Sequence, residues 1–304
     1  MGLIARLRNW RRHRATTFSF DGDPFAALAD LQPRRRWEAA AALRDRSLAG
    51  QAIAALAQAL ADPEPFVRWE AGQSLIALGS EEALQALSES LHDPLPRRRA
   101  AAAEALGQPG WVQVLSLLTA TLADHDPGVR VAAALAIGRI GHPHGVPPLV
   151  ARLGQEPSAG VRWAIVRALG MIGDPMAAAP LRQCVASLQE LVPVRRSAAW
   201  ALGQLGWDVE VIEALLVALG DPDPQVRWHA CLGLGNVIQA ALRAGQANHE
   251  LVDRAREILG QLWKDGADAG FGLVGEAAAQ ALAQINTALR GRRRMRLRSQ
   301  GMSH

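Results

Sequence analysis

The sequence predicts an all-α fold of stacked helical hairpins, a right-handed α-α superhelix of about eight units. Arginines recur at steps of 31 to 33 residues, at Arg36, Arg68, Arg99, Arg130, Arg162, Arg195 and Arg227. An acidic residue stands six positions before six of these arginines, at Asp30, Asp62, Asp93, Asp124, Glu156 and Asp221. In the sixth unit Gln189 takes that place and Glu190 follows it. Such a regular period is typical of a solenoid, because each unit buries its apolar face only against copies of itself.

Each unit is predicted to contain two helices, one of which carries the arginine. Prolines three and five residues before the arginine, such as Pro63 and Pro65, end one helix and begin the next without the loss of a needed N–H. At 100° per residue, Val161, Ile165, Leu169 and Ile172 of the fifth unit fall within an arc of about 80°, the expected buried stripe. The units begin near residues 24, 52, 82, 111, 144, 175, 208 and 249, and the repeats span 24–286.

The two ends of the chain are rich in arginine. Residues 1–22 form a basic segment, in which residues 3–14 have the spacing of a short amphipathic helix that fits an anionic membrane surface or an acidic partner. The alternative is a solvated tail that precedes the first unit. Residues 287–304 are predicted to be a disordered, arginine-rich tail. An insertion of about 16 residues lengthens the seventh unit and ends in the glycine-rich, flexible stretch 265–272.

Charge and cysteine content limit the possible functions. Eleven of the 33 basic residues lie at positions 6–14 and 290–298, which leaves 22 basic against 29 acidic residues in the rest of the chain. This balance argues against specific nucleic-acid binding, which requires a basic binding face. Cys184 and Cys231 lie in different units without metal-type spacing, no secretory signal precedes them, and no run of 18 apolar residues occurs. We therefore expect a cytoplasmic protein without disulfides, a metal site or a membrane span.

The arginine and acid ladders have a structural interpretation. An aspartate in the turn can cap the following helix and can also bind the arginine of its own or of the next unit. Such a row would fix the angle between units and would take no part in chemistry.

The phrase from Val161 to Gly173 (VRWAIVRALGMIG), with its turn acid and arginine, resembles HEAT repeats. Its short, alanine-rich form is similar to the phycobilisome-lyase-type HEAT family, which includes the E/F-type lyases that handle linear tetrapyrroles and also proteins that only bind partners. Arg44 and Ser47 in the first unit, and Gly275 in the eighth, depart from the pattern. These two units are expected to be caps.

Five tryptophans are predicted to share one face, opposite the buried stripe. Four of them directly follow the ladder arginine and one lies five residues after it: Trp37, Trp69, Trp163, Trp228 and Trp200. The resemblance implies that this helix lines the concave surface of the solenoid. Glycines near the rings, such as Gly138 and Gly170, are expected to leave shallow floors. The alternative is that each ring folds flat over the neighbouring helix.

The predicted function is that of a scaffold or adaptor, which binds a peptide or helix of another protein in this tryptophan-lined groove. The alternative is an E/F-type bilin lyase or a chromophore-handling protein. In that case the ligand is a linear tetrapyrrole, and Arg167 and Arg196 beside Trp163 and Trp200 are the candidates for contacts with its propionates.

No catalytic residue, resident cofactor or metal ligand is predicted. Deoxyhypusine hydroxylase is also built of such repeats, but its iron-binding His-Glu pairs are absent from this chain, which has Trp69–Glu70 and Trp228–His229 at the corresponding places. His142 and His144 are interpreted as ordinary loop residues.

Overall fold

The computed structural model describes residues 20–45, 49–269 and 272–301. The chain divides into two compact units, residues 1–106 and 107–304. The predicted basic segment 1–22, including the amphipathic stretch 3–14, lies outside the described residues except for its last three positions.

The first unit contains three successive helix pairs. Its helices are α1 (Pro24–Ala27), α2 (Pro33–Ala42), α3 (Ala49–Ala59), α4 (Pro65–Leu78), α5 (Glu81–Ser90) and α6 (Pro96–Leu106). The ladder arginines lie on α2, α4 and α6, and we call every helix that carries one an arginine helix. The arginine helices pack against each other in chain order, and α3 packs against α5 in a second layer.

The second unit continues the same arrangement. Its helices are α7 (Leu115–Thr121), α8 (Pro127–Ile140), α9 (Val146–Leu153), α10 (Ala159–Ile172), α11 (Ala178–Ala186), α12 (Val192–Leu202), α13 (Val209–Ala218), α14 (Pro224–Ala244), α15 (His249–Ala269) and α16 (Gly272–Gly301). The arginine helices α8, α10, α12 and α14 pack side by side, and α14 packs on α16. The described residues contain helices and no strands, which confirms the predicted all-α solenoid class.

Local sequence signals account for the helix ends. Proline occupies the first turn of α4, α8 and α14, where its missing N–H is not needed. Asp126 and Asp223 cap α8 and α14 by accepting hydrogen bonds from backbone N–H groups of the first turn. Gly141 and Gly173 end α8 and α10 with φ values of 73° and 71°, which favour glycine.

The arginine helices are buried on more sides than the predicted stripe requires. Val161, Ile165 and Leu169 of α10 are fully buried, as expected, whereas Ile172 at the end of the helix is half-buried. Ala164 and Val166 on other sides of α10 are also fully buried. The reason is that α10 packs against α8, α12 and the preceding α9 at once.

The insertion in the seventh unit lengthens helices, where the sequence predicted a flexible stretch. Helices α14 and α15 have 21 residues each, whereas α10 has 14 and α13 has 10. The added turns continue the apolar period, because Ile238 and Leu242 on α14 and Leu259 on α15 are fully buried.

The last helix, α16, runs from Gly272 to Gly301 and so includes most of the arginine-rich end of the chain. The disorder of residues 287–304 stays a prediction. The stretch contains no proline, and arginine, leucine and methionine all favour helix.

The ladder arginines bind the acid of the following repeat. Arg36 donates to both carboxylate oxygens of Asp62 at 2.7 and 2.9 Å. In the second unit Arg130 binds Glu156 at 2.9 and 2.8 Å, and Arg195 binds Asp221 at 2.8 and 3.0 Å. These bidentate pairs tie each turn to the next one. In the sixth repeat Glu190, and not Gln189, receives Arg162.

Each ladder arginine also binds the turn of its own repeat. The Nη1 atom of Arg130 donates to the carbonyl oxygens of Asp124 and His125 at 2.8 and 3.1 Å. The ladder acid itself accepts from the backbone N–H two residues later, as Glu156 does from Ser158 at 2.9 Å. The acid therefore closes the turn that leads into the arginine helix, and its position is two residues before the cap residue of that helix.

The ladder is interrupted once within the first unit. In the part of the chain that the structure describes, the Arg68 guanidinium binds the carbonyl oxygens of Asp62 and Pro63, and Asp93 is bound by Arg98. Arg97 of the same helix donates to the carbonyl oxygen of Ala61 at 2.6 Å, so a different bond joins these two turns.

The two cysteines are free and buried. Burial raises the pKa of the Cys184 thiol to about 11 and that of Cys231 to about 12, so both stay protonated at neutral pH. Within the described residues no helix combines the length and the apolar character that crossing a bilayer requires.

Replacing Arg130 with alanine should lower the free energy of unfolding by roughly 3 kcal/mol, because it leaves the buried Glu156 carboxylate without its main partner. The measurement is thermal and urea unfolding followed by circular dichroism. The control is Arg256→Ala, which removes an exposed pair with Asp253 and should change stability by less than about 1 kcal/mol. An unchanged melting curve for the Arg130 variant would refute the structural role of the ladder.

Acid should destabilise the protein through the same pair. Burial raises the pKa of Glu156, but hydrogen bonds from Arg130, Ser158 and Arg152 outweigh it and hold the pKa at about 2. Because the folded pKa lies below the unfolded value of about 4.5, its contribution is complete above that pH and declines as the pH falls toward 2. The Glu156→Gln variant should be less stable at neutral pH and lose less stability in acid. Exposed Glu257→Gln should follow the wild-type curve.

Candidate functional site

The predicted tryptophans lie on arginine helices in both units. Trp37 and Trp69 lie on α2 and α4 of the first unit, and Trp163, Trp200 and Trp228 lie on α10, α12 and α14 of the second. All five side chains are half-buried, although the helical wheel predicted that they point into solvent. Trp37 and Trp200 each contact a neighbouring arginine helix, at Glu70 and Gly170 respectively.

Trp200 shows how a ring is covered. Its Cζ3 atom lies only 2.6 Å from the position that a Cβ atom at Gly170 would occupy, so the ring lies against the neighbouring helix α10. The sequence left two possibilities, an exposed ring and a ring folded over the neighbouring helix. Trp200 has features of both, since it contacts α10 and stays half-buried.

The glycines near the rings are helix contacts, and not the groove floors that the sequence predicted. Gly138, Gly170 and Gly203 are buried. A Cβ atom at Gly138 would meet Ala168 at 2.7 Å, and one at Gly203 would meet the Cα atom of Gly233 at 2.6 Å. The missing side chains thus let consecutive arginine helices approach closely.

In the first unit Trp37 is held by a buried carboxylate. Its Nε1 atom donates to Glu70 at 3.2 Å, and Arg44 forms an ion pair with the same carboxylate. Glu70 has no exposed surface. Sequence reasoning considered Glu70 only when it excluded an iron site, yet an acid inside a helix of small and apolar residues is itself a sign of a paired buried charge.

In the second unit two arginines and a histidine gather around the tryptophans. The Arg167 guanidinium lies over the Trp200 ring at 4.6 Å from its centroid, which is a cation–π contact. The Trp228 and His229 rings meet edge to face at 4.7 Å. We call the surface formed by Trp163, Arg167, Arg196, Trp200, Trp228 and His229 the tryptophan face of the second unit.

His229 is neutral at physiological pH. Burial, the largest cause, and the positive charges of Arg196 and Arg167 together lower its pKa to about 4. Both arginines are therefore close enough to act on the imidazole. Sequence analysis missed His229, which it considered only as the remnant of a His-Glu pair.

Arg167 and Arg196 differ from the ladder arginines in charge pairing. Among the residues that the structure describes, no carboxylate forms an ion pair or hydrogen bond with either guanidinium. Both side chains are half-buried, so a ligand can reach them. The arrangement offers two cations, a neutral imidazole and flat rings, which together fit an anionic group attached to an apolar or planar one.

Metal binding has no local support in this region. Within the described ranges no three His, Cys, Asp or Glu side chains lie close enough together to hold a metal ion. His142 and His144 form only an edge-to-face pair with ring centroids 4.6 Å apart, and the His142 ring accepts a hydrogen bond from the backbone N–H of His144.

A family model described as HEAT repeats matches residues 24–107, 114–192 and 189–269. No curated protein sequence matches the chain at a significant level.

Solved structures share the architecture at low identity. The E. coli YibA protein is 19% identical, with a TM-score of 0.54 over 84% of this chain and 97% of that one. Importin beta is 16% identical, with a TM-score of 0.54 over 88% of this chain and 42% of its own. The complex of CpcE and CpcF of phycocyanin lyase from Nostoc sp. PCC7120 is 23% identical, with a TM-score of 0.44 over 56% of this chain and 98% of that one. For YibA and importin beta, whose TM-scores exceed 0.5, the likeness shows the fold and not the activity.

Replacing Gly170 with alanine should destabilise the second unit by about 1–3 kcal/mol, because the new Cβ atom would collide with Ala201 and with the Trp200 ring. The fluorescence of Trp200 should change as the ring is displaced. The matched control is Gly160→Ala at the start of the same helix, where the nearest atom would be Ser158 Oγ at 3.9 Å. Equal melting temperatures for the two variants would contradict the proposed close helix contact.

Proposed function

Because the chain belongs to the HEAT-repeat family, we propose that it is a scaffold that binds another protein through the tryptophan face of its second unit. HEAT-repeat arrays present extended surfaces to partners, and their fold carries no chemistry of its own. The observation that supports this proposal most strongly is the pair of unmatched arginines beside half-buried tryptophans on three adjacent helices.

The composition of the face is that of a binding surface. Tryptophan and arginine are the residues that most often contribute large binding energies at protein interfaces. Their side chains here are partly fixed, Trp200 by α10 and Arg167 by Trp200, so a partner loses little of its binding energy in ordering them. Met171 on α10, which is 38% exposed, adds an adaptable apolar contact at one edge.

We extend the proposal to Trp37 and Trp69 of the first unit as a further contact with a protein partner. Trp37 is fixed by Glu70 and keeps an accessible side, and Trp69 is also half-buried. The buried free cysteines are compatible with the reducing cytoplasmic location that we also propose.

A second candidate function is the handling of a linear tetrapyrrole, as in a bilin lyase. It is supported by the same two arginines, since unmatched guanidinium groups beside flat rings suit a planar molecule that carries propionates. No residue is assigned a catalytic role under either proposal.

Site-specific photo-crosslinking should identify the partner and its location. A photoreactive amino acid replaces Met171 beside the tryptophan face, and the matched control replaces Val217, which is 64% exposed on α13 in the other layer. In cells that express the protein, we expect a crosslinked protein from position 171 and not from position 217. Adding Trp163→Ala and Trp228→Ala should abolish it while the helical content is retained, because the partner loses two large apolar contacts.

An adduct that persists in the double tryptophan variant, or one that forms equally at position 217, would contradict the proposal. Titration with a linear tetrapyrrole distinguishes the second candidate. Micromolar binding that quenches tryptophan emission and is weakened by Trp163→Ala and Trp200→Ala would favour chromophore handling.

A further inference from the structure

The charges of the tryptophan face are unusual for this chain. The repeats, residues 24–286, carry 22 basic and 27 acidic residues, so carboxylates are in excess. The ladder arginines Arg130, Arg162 and Arg195 of the second unit all bind carboxylates. In the described part of the chain Arg167 and Arg196 bind none, although they lie on the same helices α10 and α12. Two half-buried guanidinium groups that bind no carboxylate keep donors available for an anionic group of a ligand.

The geometry holds these cations in place. Arg167 lies over the Trp200 ring at 4.6 Å, and this contact leaves N–H donors at the edge of the guanidinium plane free. Arg196 precedes Trp200 by four residues on α12, so the two side chains lie on one side of that helix. Trp200 is thus bordered by one arginine from each of two adjacent helices.

His229 completes the group from a third helix, α14. Both arginines lie within electrostatic reach of its ring, which packs against Trp228 at 4.7 Å. The neutral imidazole has one N–H to donate and adds no further positive charge. The three side chains therefore come from three helices that pack side by side, α10, α12 and α14.

We infer that Arg167, Arg196 and His229 form a subsite for one carboxylate, which an acidic residue of the partner segment places between the Trp200 and Trp228 rings. The inference rests on the proposed function and specifies the chemistry that the partner must carry. A guanidinium edge binds a carboxylate through two parallel hydrogen bonds, and the imidazole N–H supplies another donor. Phosphate fits less well, because phosphate sites usually add the free N–H groups of a helix start, whereas all three residues here lie inside helices.

The test uses the full-length protein with 3-phenylpropionate and its neutral counterpart 3-phenylpropionamide. Tryptophan emission and the imidazole resonances of His229 report binding. We expect the carboxylate to bind about tenfold more tightly than the amide, since a charge-assisted hydrogen bond adds that much affinity. The bound carboxylate should also raise the pKa of His229 above its value of about 4, because a nearby negative charge favours the imidazolium form.

Matched variants separate charge from packing. In the double variant Arg167→Gln and Arg196→Gln the roughly tenfold preference for the carboxylate over the amide should disappear. The control Arg243→Gln removes an exposed arginine from α14 and should change neither affinity. Circular dichroism shows whether each variant is folded.

The outcomes distinguish this inference from the proposed function. Equal affinities for carboxylate and amide, both lost in Trp200→Ala, would overturn the carboxylate subsite while the tryptophan face remains a binding surface. No binding of the carboxylate, or tighter binding of inorganic phosphate, would also overturn the subsite. A linear tetrapyrrole that binds much more tightly as the free diacid than as its dimethyl ester would support carboxylate recognition and identify a chromophore as the source.

Discussion

The bond between a ladder arginine and the acid of the next repeat, which four described arginines form, is the interaction on which the architecture depends. One guanidinium binds the carbonyl groups of its own turn and the carboxylate of the following turn, as Arg130 does with Asp124 and Glu156. Because the acid also closes its own turn through a backbone N–H, the direction of the next arginine helix is fixed at the same time. Packing between helices then places the Trp200 ring against Gly170 of the preceding arginine helix.

The short distance between adjacent arginine helices determines both their contacts and the placement of the Trp200 ring. Glycine at positions such as 170 lets the next helix approach until the Trp200 ring lies on it. The ring is then rigid enough to support Arg167, which has no carboxylate partner in the described residues. The surface is therefore built by the repeat, while its chemistry depends on the few side chains that differ between repeats.

Much of the fold could be predicted from the sequence, because the arginines and acids recur at a nearly constant spacing that gives the length of one repeat. The arginine and acid spacing predicted the helix pairs, and the family match confirms HEAT repeats. The exposure of the tryptophans could not be predicted, because a helical wheel gives the direction of a side chain on its own helix but does not show which neighbouring helix covers it. Nor could the role of Glu70 or His229, because each depends on a partner from another repeat, Trp37 and Arg44 for Glu70 and Arg196 for His229. The helical extension of the seventh unit was not predicted, because the stretch 265–272 contains several glycines, although apolar residues continue at helical spacing through α14 and α15.

The ladder also determines how such a chain can change in length. The arginine and its acid are 26 residues apart in three of the described pairs and 28 in the fourth. If one whole repeat is removed or copied, the arginine before the junction meets an equivalent acid at the same distance. A cut at any other length would leave a charge without its partner. The segment from one turn to the next is therefore the natural piece for gene duplication, and the same piece can serve as an exchangeable module in engineering.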